Sequence, residues 1–202
     1  MTGGVGEPGP AGGADPGPLL GKGRLLVATP QLLDPHFDHT VVLLLDHDDE
    51  GSLGVVLNRP TGVGVSTVLD EWSEQVDGPP VLFEGGPVSP DAALALAALA
   101  GDGPADPVGF RRLFGSTGVM DLDTPRELLD PRVVRLRIFA GYAGWGSGQL
   151  LAEVEEGSWH VVDSSPGDPF CPHPDKLWAE VLRRQPGSLA WASTRPSDPT
   201  LN

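Results

Sequence analysis

Four groups of residues in this 202-residue chain have types and spacings that suit chemistry, and each lacks a component that the chemistry needs. Asp46, Asp48 and Glu50 place oxygen ligands at alternate positions, with Gly51 sixth, as at the start of a calcium loop. The twelfth position is Leu57, not a bidentate acid, so a solvated hairpin turn is the better reading. His36 and His39, near Asp34, Asp38 and His47, have the spacing of metal ligands on a helix, but Pro35 argues for a loop there. Cys171 and His173, set among prolines, make neither a closed zinc site nor a nucleophilic triad. Gly146-Ser147-Gly148 has Trp145 where a nucleophile elbow needs its first glycine. No catalytic residue, metal ligand or cofactor is therefore assigned.

Two glycine-rich segments remain as candidates for binding. Glu84-Gly85-Gly86-Pro87 and the run Gly141 to Gln149 each follow an apolar stretch that reads as a strand and precede one that reads as a helix. The second contains neither the Gly-Lys-Ser/Thr of a phosphate loop nor the glycine fingerprint of dinucleotide sites. Glycines at a strand-to-helix turn permit close backbone approach, and the free N–H groups of the helix suit an anion or carboxylate. The candidate ligand-binding set is Glu84, Gly85, Gly86, Pro87, Tyr142, Gly144, Trp145, Gly148 and Gln149, to which the family motifs below add Asn58 and Arg59. The alternative is that these glycines serve tight turns and the close packing of Tyr142 and Trp145.

The elements that must position these loops follow from hydrophobic period. Strands are expected at 23–28, 41–45, 53–57, 81–83, 117–122, 133–140 and 159–162, the second and third forming a hairpin around Asp46 to Ser52. The unbroken run Val41 to Leu45 suggests a strand covered on both faces. Val65, Val68, Leu69, Trp72 and Val76 share one face of a helix over 65–76. Ser89-Pro90-Asp91 opens an Ala/Leu helix over 90–100, and Thr124 to Glu127 is a capping box. Helices are also expected from about Leu150 to Gly157 and over 174–184. Interleaved strands and helices with an antiparallel hairpin favour an α+β (α/β) fold with a mixed sheet.

The length suits one domain, over 19–193, between a disordered Gly/Pro-rich tail at 1–18 and a flexible tail at 194–202. No apolar run is long enough for a membrane helix and no signal peptide is evident, so neither a membrane association nor export is expected. One cysteine agrees with a reducing, cytoplasmic location. A formal charge of −15, from 28 acidic and 13 basic residues, disfavours direct nucleic-acid binding.

Several short motifs occur together in a recognisable order. They are Gly23-Arg24-Leu25-Leu26-Val27-Ala28-Thr29-Pro30, His39 to Val42 leading to Gly54-Val55-Val56-Leu57-Asn58-Arg59-Pro60, Glu84 to Val88, and Gly141 to Trp145 with Gly148-Gln149-Leu150. Across roughly residues 20 to 192 the sequence resembles the YqgE/AlgH family. The resemblance implies a bacterial cytosolic protein whose mixed, strongly curved sheet approaches a pseudo-barrel with helices packed on it. It does not imply an enzyme. Family members are often labelled transcriptional regulators, and the residues here support such a role only indirectly, through a small ligand or protein partner recognised at the two loops. The competing reading is a hydrolase or transferase using an acid near these loops, such as Glu84, whose site cannot be assembled from sequence.

Overall fold

The computed structural model describes residues 20–101, 103, 105–187 and 190, so the expected tails at 1–18 and 194–202 lie outside the described residues. Among the described residues the strands are β1 (Arg24–Ala28), β2 (Val41–Asp48), β3 (Gly51–Val56), β4 (Pro60–Gly64), β5 (Val81–Glu84), β6 (Val88–Leu99), β7 (Phe110–Phe114), β8 (Thr117–Met120), β9 (Val133–Gly146) and β10 (Trp159–Asp163). Two α-helices accompany them, α1 (Gln149–Glu155) and α2 (Pro174–Arg183). The strands join in one sheet ordered β10-β1-β2-β3-β9-β6-β8-β7, with β4 and β5 paired off this path. Neighbours are antiparallel except β5, which runs parallel to β9, so the sheet is mixed. It curls into a half-barrel. Arg111 on β7 comes within 3.9 Å of Asp46 on β2, which brings the far end of the strand order back towards its beginning.

Three apolar clusters explain why so many strands lack a polar face. On the concave side, Leu25, Val27, Leu43, Val55, Leu96 and Phe139 pack against α2 through Leu177, Trp178, Val181 and Leu182. On the opposite face of the hairpin side, Leu26, Val42, Leu44 and Val56 meet Trp145, Leu150 and Trp159. Behind β6 and β9, Ala95, Ala97, Leu136 and Ile138 meet Val65 and Trp72. Val41 to Leu45 is apolar throughout because alternate residues enter different clusters.

Four local expectations are corrected. Residues 90–99 form most of β6, not a helix, because Leu94, Leu96 and Ala98 face the concave core while Ala95, Ala97 and Leu99 face Trp72. Burial on both faces outweighs the helix propensity of alanine and leucine, which is worth only tenths of a kcal/mol per residue. The segment 65–76 contains two 3-10 turns, Val65–Thr67 and Asp70–Trp72, in place of one helix. Its apolar positions still cover β6 and β9, except that Val68 is 58% exposed. Thr124 caps nothing; the turn after it is a short 3-10 element, Arg126–Leu128, and Thr124 itself is buried. Finally, Gly141 to Gly146 continue β9 instead of forming a loop.

Candidate functional site

The glycine segments converge on β9, which is paired along both edges. Tyr142 lies opposite Val88 of β6, while on the other edge Phe139 and Ala140 pair with β5, and Ala143 to Gly146 pair with β3. At this junction Gly85 N donates to the Ala140 carbonyl at 2.8 Å, and Val56 N donates to the Gly85 carbonyl at 2.9 Å. A Cβ on Gly85 would lie 2.2 Å from the Gly141 oxygen, and one on Gly86 would lie 2.4 Å from the Tyr142 carbonyl carbon. Gly141, at φ +71°, is equally tight: a Cβ there would meet the Gly86 oxygen at 2.6 Å. The glycines exist because two backbones cross in contact. The loop Glu84–Pro87 leads into β6, so no helix N-terminus faces it, contrary to the strand-to-helix expectation.

The remaining candidates serve this crossing or the region beside it. Asn58 accepts from Val41 N at 2.9 Å and donates to the His39 carbonyl at 2.9 Å. Arg59 donates to the Pro35 and Asp38 carbonyls, and its own carbonyl accepts from Glu84 N. Together they fasten the 34–40 loop to the junction. Glu84 and Pro87 are exposed, and the Glu84 carboxylate approaches His36 Nδ1 at 4.0 Å. Tyr142 is half-buried against the concave core. Trp145 is buried, stacked on Phe37 and edge-on to Trp159. Its indole donates to Glu153 Oε2 at 3.0 Å, and the same oxygen accepts the Trp159 indole at 2.8 Å. Gln149 accepts from Gly146 N and donates to Glu153 Oε1. Gly144 and Gly148 are exposed, the latter at φ +70° in open space before the seven-residue α1. Asn58, Arg59, Glu84 to Pro87 and Tyr142 therefore share one junction, while Trp145, Gly148 and Gln149 belong to the outer end of β9.

A cleft lies against the junction, and none of these eleven residues lines it. Between Val88 and Ala93, β6 bulges away from β9. The bulge residues Pro90, Asp91 and Ala92, with Ala93, Phe139, Ala140, Val68, Leu69 and Leu82, enclose about 280 Å³. Ala93 and Ala140 are paired across β6 and β9, and alternation puts both on the side of Ala95 and Ile138, so they form the floor. Val68, Leu69 and Leu82 form walls. Asp91 is the one ionisable residue of the lining and is exposed. The signal available in sequence was the unbroken apolar run 92–99, which suits a strand covered on both faces and which the capping pattern at Ser89 to Asp91 overrode.

Electrostatics elsewhere are structural. Arg137 is fully buried in the concave core, where its Nη2 donates to the Gly78 and Cys171 carbonyls and its guanidinium lies 4.3 Å from the centre of the Phe83 ring. Burial first, opposed by Asp77, lowers its pKa to about 10. Burial likewise pushes the Cys171 thiol up, away from the thiolate form that a nucleophile needs. Its Sγ is buried and contacts the His173 carbonyl at 3.4 Å. Among the described residues, no three His, Cys, Asp or Glu side chains gather as a metal site. None of their helices is long and apolar enough to cross a membrane.

A half-barrel of mixed strands with helices packed on it, holding glycine backbones in contact at β9, defines an α+β protein of the AlgH-like class. The AlgH-like family model matches residues 25–190, and the chain belongs to that family. It is 59% identical over 182 residues to a UPF0301 protein of Streptomyces coelicolor, covering 89% of this chain and 94% of the relative. It is 50% identical over 189 residues to one of Thermobifida fusca, with the same coverage of 89% and 94%. The crystal structure of protein DIP2367 from Corynebacterium diphtheriae matches with a TM-score of 0.81 at 32% identity, covering 88% of this chain and 93% of that one. The solution structure of AlgH from Pseudomonas aeruginosa shares the fold, with a TM-score of 0.60 at 24% identity over 87% of this chain and 94% of that one.

Proposed function

We propose that this chain is a non-enzymatic binding module that holds a small, mostly apolar ligand in the cleft between the β6 bulge and the 65–69 segment. The observation that carries this reading is the cleft itself: about 280 Å³, walled by aliphatic side chains, at a place where a strand departs from its neighbour. That volume falls just below the roughly 300–1,000 Å³ of sites for drug-sized molecules, which points to a fragment-sized ligand. Asn58, Arg59, Gly85, Gly86 and Tyr142 act as scaffold, fixing β5 and β6 against β9 so that the bulge keeps its shape. A hydrolase or transferase would require converging titratable groups, and the lining offers Asp91 alone. Any influence on transcription would pass through a partner that senses the ligand, since the net charge of −15 opposes contact with DNA. The buried, unpaired Cys171 suits the cytosol.

Ligand-observed NMR with a library of small aromatic and aliphatic fragments tests this reading. A fragment of about ten heavy atoms is expected to bind with a dissociation constant on the order of 1 mM. Ala93→Leu, which projects an isobutyl group from the floor, is expected to abolish binding while leaving the fold intact by circular dichroism. Fragments that bind the variant as well as the parent would refute the cleft as the site.

A further inference from the structure

The cleft's rim carries a charge preference, and on the reading that the cleft binds small apolar molecules, we infer that it selects those bearing a cationic end, such as an alkyl- or arylalkylammonium. Asp91 is the one charged residue of the lining, and no basic side chain contributes to the surface. The surroundings reinforce it. Leu69, a wall residue, is followed directly by exposed Asp70 and Glu71. Arg126, the basic residue held against this segment, is already engaged by the Glu71 carbonyl and lies 3.8 Å from Glu74. Asp91 itself sits on the bulge after Ser89, whose φ of 47° departs from the strand. The acid thus lines an open, largely apolar cleft, with no guanidinium or ammonium of the protein neutralising it in an ion pair among the described residues. A ligand that buries its apolar body against Ala93, Ala140 and Leu82 would leave its polar end at Asp91. An ammonium there gains a charge-assisted hydrogen bond, whereas a carboxylate meets a like charge. The field of a chain with net charge −15 acts in the same direction.

Three probes with matched apolar bodies separate the two ideas: phenethylamine, phenethyl alcohol and hydrocinnamate, titrated by NMR at low ionic strength. The amine is expected to bind about tenfold more tightly than the carboxylate, with the alcohol between them, since each step changes one charge at a partly exposed site. Asp91→Asn should bring amine and alcohol together, and ~0.5 M sodium chloride should erase most of the remaining bias from the protein's overall field. Equal binding of all three probes by the parent overturns the charge preference but leaves the cleft reading standing. A preference unchanged in Asp91→Asn overturns the assignment to that residue. Binding of none of the three, or binding undiminished in Ala93→Leu, overturns the cleft reading itself.

Discussion

One oxygen of Glu153 accepts two indole N–H groups, from Trp145 and Trp159, and through them steadies the aromatic cluster beneath the 34–40 loop. Hydrogen bonds to a carboxylate contribute about 1.5–3 kcal/mol each, and the two orphaned indoles would be left buried. Glu153→Ala is expected to cost about 3 kcal/mol in urea unfolding, and Glu153→Gln, which keeps an acceptor, about 1 kcal/mol. His160 offers a pH-dependent counterpart. Burial lowers its pKa, so the folded state prefers the neutral ring. Stability is then complete above the ordinary histidine pKa and is lost as pH falls through the depressed folded value. Unfolding curves measured between about pH 7 and pH 5 should show this loss, and His160→Gln should flatten it. At this scale the sequence was informative about which residues matter and less so about what they do. Trp145 reads in the sequence as a ligand contact or as a residue packed closely beside the glycines, and its partners are Phe37, Trp159 and Glu153, residues scattered over more than a hundred positions. Only the fold brings them together.

Two glycines with nearly the same backbone angle do different work in β9 and its exit. Gly141 at φ +71° is pressed against the Gly86 and Val88 carbonyls, whereas Gly148 at φ +70° faces open space. Gly148→Ala should therefore cost only the left-handed penalty of about 1–2 kcal/mol. Gly141→Ala adds a backbone clash and should cost more than about 4 kcal/mol or prevent folding, as read by denaturant midpoint and soluble yield. Equal costs at the two positions would mean that conformation, not close approach, accounts for both. The glycine doublets were legible as points of close approach, and the hairpin of β2 and β3 as a buried pair. The second half of β6 was not legible as a strand, because an unbroken Ala/Leu run satisfies helix propensity and a buried strand alike; Trp72, over twenty residues away, decides between them. The 65–76 segment was legible in which residues it buries and not in its path, since a covering layer needs apolar contacts but no continuous helix.

As a whole, the molecule carries far more negative than positive charge on a surface wrapped around a curled sheet. Self-repulsion of that size destabilises the compact state and is screened by salt. The melting temperature should rise by a few degrees between about 0.05 and 0.5 M sodium chloride, in contrast to a protein held by surface ion pairs. Composition was sufficient for that expectation, whereas the fold class needed the order of strand and helix patterns along the chain. The cleft was beyond it, because a bulge is a relation between two strands and has no signature in either one alone.

The position of β9 in the chain has a consequence for synthesis. Residues 133–146 supply the pairing partner for β3, β5 and β6, all of which leave the ribosome earlier. Until that strand emerges, three strand edges wait without their neighbour, and such edges are sites of aggregation in unfinished chains. Productive folding thus waits for β9, and a nascent chain stalled before Val133 leaves those three edges open to aggregation.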